Sequence, residues 1–472
     1  MSVYSVSSVS QNLGRYPLTL HDMIKNGMSL EGLADSWLGG QIDRLQNKET
    51  PLTLAIKLRL PLVVEQLLQK GANHLIENGR GELPIELAEQ TGNASIIELL
   101  KNATIAPPSH KPFIPPLIAA VQKGSLEEVK KCIEQDKANV NETDEHQQTA
   151  LVLATLINNA EIIQYLVKKG ADINRKSGTQ ELTALQLAAL SGDLAIIQYL
   201  IENGADIEPR SKNQQTPLGI AASSGKIKAV EALVEKGAAI NGKSGEQELT
   251  ALHIAALRGD AAIIESLVRL GADIEAKSKD LQTPLYLAAN NEKIKAVEAL
   301  VKKGAALNEK SGEREWTALH IAALRDNAEI IRYLVKKGAD IEAQSKDLQT
   351  PLYFAANTGK IKAVEALVKK GAAINGKNGE QEYTALHIAA LRDNAEIIRY
   401  LVEMGAAIEA PSKDLQTPLY LAANTGKIKA VEALVEKGAA INGKNGEQES
   451  TALHIAACKD NVEIIQIGRA HV

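Results

Sequence analysis

Four histidines recur in one setting, the stretch "TALHIAA", at His253, His320, His387 and His454, each 67 residues from the next. An imidazole can bind a metal ion or exchange a proton near neutral pH, so a row of four raises both chemistries. Metal ligation needs donors about 2 Å from one ion. If each structural unit occupies the usual helix packing distance, histidines two units apart stand on the order of 20 Å from each other. No Ser, Cys or carboxylate recurs beside them as a nucleophile and its base would require. The pattern therefore marks a position within a repeat, and no catalytic residue, metal site or cofactor is expected.

The repeat is visible in the segment "T-[AP]-L-x-x-A", which begins at Thr149, Thr183, Thr216, Thr250, Thr283, Thr317, Thr350, Thr384, Thr417 and Thr451, at spacings alternating between 34 and 33. A period of this size marks stacked supersecondary units, because one unit cannot bury its own apolar face. In the unit from Thr317, the Thr is placed to cap a short helix carrying Leu319, Ile321, Ala322 and Ala323. A turn at Arg325-Asp326-Asn327 separates it from a second helix with Ile330, Ile331, Leu334 and Val335 at helical spacing. Gly338 then supplies a left-handed C-terminal cap, and the polar "ADIEAQSKDLQ" is long enough for a finger-like hairpin. Over this lies a 67-residue double period from Thr183, Thr250, Thr317 and Thr384.

Composition agrees with close-packed small helices. Hydrophobic residues make up 44% of the chain but aromatics only 3%, so Ala, Leu, Ile and Val must build the core. A formal net charge of −5 lacks the basic footprint of nucleic-acid binding. The two cysteines, Cys132 and Cys458, have no metal-ligand or disulfide-framework spacing and fit a reducing, cytoplasmic setting. No signal peptide and no apolar run of about 18 residues is present, so no membrane span is expected in this segment.

The repeat resembles the ankyrin family, whose motif "TPLHLAAxxG…IVxxLLxxGADVN" is matched by "TPLYLAANTGKIKAVEALVEKGAAIN" from Thr417 and "TALHIAALRGDAAIIESLVRLGADIE" from Thr250. The resemblance covers the chain from about residue 50 to the end. It implies an all-α solenoid of helix-turn-helix units with hairpin-like fingers, about twelve repeats plus a truncated one, elongated on the order of 100 Å. Residues 1–48 form a Ser-rich start with a degenerate cap in register at Tyr16; residues 50–114 hold two divergent repeats, from Thr50 and Leu83; residues 115–466 form one continuous array. The Pro-rich segment 105–116 reads either as a hinge or as a stiffened finger. In the family the repeated His is structural, bonding within and between fingers, which assigns that role to His253, His320, His387 and His454; Tyr286, Tyr353 and Tyr420 take its place in alternate units. One departure lies two residues before the Thr, where the family usually has Gly and this chain has Leu281, Leu348 and Leu415.

Other features have plain structural readings. "RGD" at Arg258-Gly259-Asp260 sits on the inter-helix turn, where sister copies read "SGD" and "RDN". Lysines ending the second helices suit the helix dipole. Between the copies at Thr317 and Thr384 the changes include Lys336 to Glu403, Lys369 to Glu436 and Phe354 to Leu421, which read as surface drift.

The residue before the Thr varies most in chemistry: Leu182, Leu249, Trp316, Tyr383, Ser450. In the family that finger position, with the two residues after the "AA", faces the concave surface that holds partners. Trp, Tyr and Arg are enriched in binding hot spots. The expected partner patch is thus Trp316 and Tyr383 with Leu249, bordered by Arg258, Arg325 and Arg392, and with Asn357 and Asn424 in the alternate units; packing of finger on finger is the rival role for the aromatics.

These readings converge on a monomeric, non-enzymatic scaffold or adaptor that binds a protein, with no nucleic acid and no cofactor. The rival is a targeting array of a longer protein whose further part is a transferase, a kinase or a membrane domain. Duplicated blocks of this kind also resemble ankyrin arrays of intracellular bacteria, which implies delivery into a host cell as one setting. The ending "IGRAHV" replaces the expected second-helix sequence after Gln466 and fits read-through of a sequencing adapter, so residues 467–472 are expected to be non-native and those after Thr451 to fray.

Overall fold

The computed structural model describes residues 50–69, 72, 78, 82–103, 114–446 and 449–470. The Ser-rich start, the degenerate cap at Tyr16 and most of the Pro-rich segment lie outside them. The described residues contain 26 helices, and their β pairing consists of isolated bridges, as in Ser311 to Trp316 and Asn378 to Tyr383. They fall into two compact bodies. One holds the described residues up to Ala150 with Ser177–Thr179; the other holds Leu151–Lys176 and the described residues from Gln180 on.

In the first body, Pro51–Lys57 and Pro61–Gln69 pack against Pro84–Thr91 and Ala94–Asn102 around Leu52, Ile56, Val64, Leu67, Ile96 and Leu100. Thr50 caps the first of these helices through a capping box with Thr53, while Leu83 has no side chain to offer and Glu86 accepts its N–H instead, at 3.0 Å. Helices Pro116–Gln122 and Leu126–Glu134 pack against each other and bury Leu117, Ile118, Val121 and Val129.

In the second body each repeat is a helix of seven or eight residues, a tight turn, and a helix of nine. Successive first helices stack on one another, and successive second helices do the same. The small residues explain the close stacking: Ala322, Ala323, Ala355, Ala356, Ala389 and Ala390 are fully buried between neighbours. Thr317 caps Ala318–Leu324, Asn327 caps Ala328–Lys336, and Gly338 ends the unit at φ +99°. The last pair of helices spans Ala452–Cys458 and Val462–Ala470.

The fingers are joined by a ladder of backbone bonds. Gly245 N–H donates to the Gln214 carbonyl at 2.8 Å, Lys279 to Gln247 at 3.0 Å, Gly312 to Leu281 at 3.0 Å and Lys346 to Arg314 at 3.1 Å, and the series continues to Gly446. Two residues before each Thr the backbone is left-handed without glycine, at Glu248, Leu281, Glu315, Leu348, Glu382 and Leu415. The place where the family usually has Gly thus keeps its conformation here at a steric cost.

The double period has a physical cause. In repeats carrying "TALH" the Thr N–H is satisfied inside the repeat, as Thr250 donating to His253 Nδ1 at 3.2 Å. In the alternate repeats residue Thr+3 is Val, Gly or Tyr, none of which offers such an acceptor. There the next finger supplies it: Thr283 donates to Ser311 Oγ at 3.3 Å and Thr350 to Asn378 Oδ1 at 2.8 Å. The two repeat types complete each other's backbone bonding.

Candidate partner-binding surface

The histidines sit at the roots of the fingers. His253, His320 and His387 are almost wholly buried; each accepts from the N–H of its own Thr on Nδ1, so Nε2 carries the proton. That Nε2–H donates to the next finger's carbonyl, Gln282 at 2.9 Å, Gln349 at 2.9 Å and Gln416 at 3.0 Å. Both ring nitrogens are therefore committed to backbone. Gln186 stands in the same place and spans the same two groups, accepting from Thr183 N–H and donating to the Gln215 carbonyl at 2.7 Å. An uncharged, non-basic amide performs the task, so the position asks for hydrogen-bond geometry and not for proton chemistry. Burial holds His320 and His387 neutral, with pKa values lowered to about 4, and pushes His253 down as well. His454 is exposed, and among the described residues its hydrogen bonds are those with its own Thr451.

The arginines proposed to border the partner patch reach backwards across repeat boundaries. Arg325 donates through Nε and Nη2 to Asn290 Oδ1 at 3.0 and 2.9 Å, and Arg392 Nε donates to Asn357 Oδ1 at 2.8 Å. Arg258 donates to the Ser223 carbonyl, and Gly259 and Asp260 complete the turn, the latter capping Ile263. In the corresponding place beyond Asn424 stands Lys459. The arginines and asparagines thus form one row of inter-repeat contacts while Arg325 and Arg392 keep their exposure.

The aromatic residues gather beside this row. Trp316 is half-buried with its ring edge-to-face against Phe354 of the following repeat at 5.0 Å, and the Arg314 guanidinium lies 5.4 Å from the indole centre. Tyr383 is half-buried and stacks on His387 at 5.5 Å. Leu249 is also half-buried at the same finger position. Burial raises the phenol pKa of Tyr286 and Tyr353; Arg325 and Arg314 act against that at Tyr286, and Arg392 at Tyr353. These cations therefore stand within electrostatic reach of the tyrosines, and the face combines Trp, Tyr and Arg.

One difference between sister copies is more than drift. Phe354 is buried at 6% exposure and touches Trp316, His320 and Tyr353. The sequence signal was its coincidence with Trp316 in the preceding repeat, two changes that look unrelated until the rings meet. A second contact invisible in sequence is at the turns: Asp326 Oδ1 accepts from Ala363 N–H and Asp393 Oδ1 from Ala430 N–H, both at 2.9 Å. Among the described residues no helix is long and apolar enough to cross a membrane.

Comparison with known proteins places these features in a family. The profile described as "Ankyrin repeats (3 copies)" matches residues 106–177, 175–244, 252–345, 342–412 and 408–467. "Ankyrin repeat and SAM domain-containing protein 6" of Danio rerio is 31% identical over 116 residues, which is 24% of this chain and 16% of that protein. "Alpha-latrocrustotoxin-Lt1a" of Latrodectus tredecimguttatus is 31% identical over 115 residues, 24% of this chain and 8% of the toxin. The matched stretches are thus a minor part of both relatives. Among solved structures the ankyrin repeat domain of Bcl-3 is similar, with 25% identity and a TM-score of 0.43, covering 48% of this chain and 99% of that domain.

Proposed function

Because the chain belongs to the ankyrin-repeat family, whose repeats are generally protein–protein interaction modules, we propose that it is a non-enzymatic scaffold that holds a partner protein on its finger and first-helix face. The observation that carries this is the half-exposed pair Trp316 and Tyr383 beside Arg325 and Arg392, a hot-spot composition in a chain with few aromatics. Each side chain is already braced, Trp316 on Phe354, Tyr383 on His387, and the arginines on Asn290 and Asn357. Bracing lowers the side-chain ordering cost of docking. Leu249, Arg258, Asn357 and Asn424 would form the edges of the same face. The histidines serve this function indirectly, by fixing the fingers that carry the aromatics.

The protein is read as a monomer that works in the cytoplasm, where Cys132 and Cys458 stay free thiols. The double variant Trp316→Ala with Tyr383→Ala tests the patch. The full chain should lose its captured partner in an affinity pull-down while its helical circular dichroism is retained; unchanged capture by a folded variant would exclude the patch.

A further inference from the structure

The second helices carry a charge pattern that the repeat itself does not require. Where the last helical residue is Glu, the capping Lys of the next repeat can pair with it across the boundary, as Glu202 does with Lys236 at 3.0 Å and Glu403 with Lys437 at 2.7 Å. Between these, three consecutive second helices end in Lys302-Lys303, Lys336-Lys337 and Lys369-Lys370, all exposed. In the register that sets Lys437 over Glu403, Lys370 is set over Lys336 and Lys337 over Lys302. Like charges stand where the flanking repeats have ion pairs.

The helix dipole does not account for this. It favours a cation at any helix C-terminus, yet the flanking repeats do without the second lysine. Among the described residues Lys303, Lys336, Lys337 and Lys370 make no ion pair; Lys369 pairs with Glu365 at 3.1 Å on its own helix, and Lys302 lies 3.9 Å from Glu265. The helices leave grooves with small-residue floors between them. One, of about 280 Å³, is floored by Ala328 and Ala366 and rimmed by Arg332, Lys362, Lys369 and Lys370, with Glu365 as its carboxylate. The other, of about 780 Å³, has Lys295, Lys302 and Lys337 against Glu265 and Glu298.

We propose that the lysine strip Lys302, Lys303, Lys336, Lys337, Lys369 and Lys370 is a docking surface for an acidic protein segment, an extended stretch in which Asp and Glu are interspersed with uncharged residues, lying across three consecutive second helices. It is separate from the aromatic face and does not depend on it. A peptide suits the grooves better than a nucleic acid does, because Glu265, Glu298 and Glu365 would each oppose a polymer charged at every phosphate, whereas a peptide can set an uncharged residue there. The one aromatic in these grooves, Tyr333, has Lys337 5.7 Å from its ring centre, so the strip lacks the row of open rings on which successive bases of single-stranded nucleic acid stack. Long-range attraction of this kind raises encounter rates and weakens with salt.

The test uses the full chain at low ionic strength with a labelled peptide of alternating Glu and Ala, a labelled single-stranded oligonucleotide, and vesicles containing phosphatidylserine. The variant Lys302→Glu with Lys336→Glu gives Lys337 and Lys370 carboxylates in the register of Glu403 and Lys437, so its thermal melt should be unchanged or raised. Its affinity for the Glu-Ala peptide should fall about tenfold or more. The control Lys228→Glu with Lys429→Glu makes the same charge change on second helices outside the strip and should lose far less. Absence of binding of the Glu-Ala peptide by the parent chain, equal losses in the two variants, or tighter binding of the oligonucleotide or the vesicles would each overturn the proposal.

Discussion

Asp326 accepts a hydrogen bond from the backbone N–H of Ala363, 37 residues further on, at 2.9 Å. Ala363 lies in the first turn of a helix whose own N-cap residue, Lys360, has no side-chain bond to offer. One repeat thus caps the helix of the next. The same holds for Asp393 and Ala430, while the earlier copy has Gly259 in place of the aspartate.

Asp326→Ala should therefore destabilise by about 1–2 kcal/mol through loss of the cap, with the left-handed backbone at φ +59° adding to the cost. Asp326→Gly should lose less, because glycine relieves the backbone. Urea midpoints of the two variants check this. Equal losses would show that the bond matters and the backbone conformation does not.

The histidines predict an acid limb of stability. Their folded pKa values, about 4 for His320 and His387, lie below the ordinary 6.5, so as pH falls the unfolded chain takes up protons first. The stability they contribute is fully present above about pH 6.5 and is lost as pH falls toward 4, on the order of 2–3 kcal/mol per ring. His320→Gln with His387→Gln copies Gln186 and should flatten this limb while changing neutral-pH stability by no more than about 1–2 kcal/mol. Denaturant midpoints measured across that pH range decide it.

Leu281, Leu348 and Leu415 are 53%, 50% and 57% exposed and hold φ near +57°, +57° and +55°. Little burial offsets the backbone cost of about 1–2 kcal/mol at each, so Leu→Gly at the three sites should raise the melting temperature despite glycine's larger entropy loss of about 0.5–1 kcal/mol. A lower melting temperature would mean that these leucines pack more than their exposure shows.

Phe354→Leu copies Leu421 of the sister repeat and should cost on the order of 1–2 kcal/mol, since the smaller side chain leaves part of the ring's buried space unfilled. Trp316 loses its edge contact in this variant. Its emission should shift to the red and become more open to iodide quenching; an unchanged difference spectrum would show that Trp316 leans on other groups.

The helices, their Thr and Asn caps, the Gly ends and the alanine seam are written within single repeats, and the sequence pattern shows them directly. Bonds between repeats are different. Arg325 to Asn290 and Asp326 to Ala363 join residues 35 and 37 apart in different repeats, and a single repeat read alone gives no reason for either contact. The alternation of His with Tyr was plain in the letters. What it meant depended on knowing that the Thr N–H must find an acceptor, and that Ser311 or Asn378 of the next finger lies within reach when the histidine is absent. For the same reason Phe354 looked like drift, because its partner Trp316 belongs to another repeat.

The mutual completion of His-type and Tyr-type repeats also bears on how such a gene can change length. Recombination that removed one repeat would set two repeats of the same type side by side. Counted from finger to finger, two Tyr-type neighbours would meet through a finger whose serine, like Ser278 or Ser345, already accepts from its own glutamine N–H, and the Thr amide would lose the acceptor that Ser311 or Asn378 now supplies. Loss or gain of a whole 67-residue pair restores every junction. The 67-residue pair is therefore the smallest segment whose loss or gain leaves both kinds of junction as they stand.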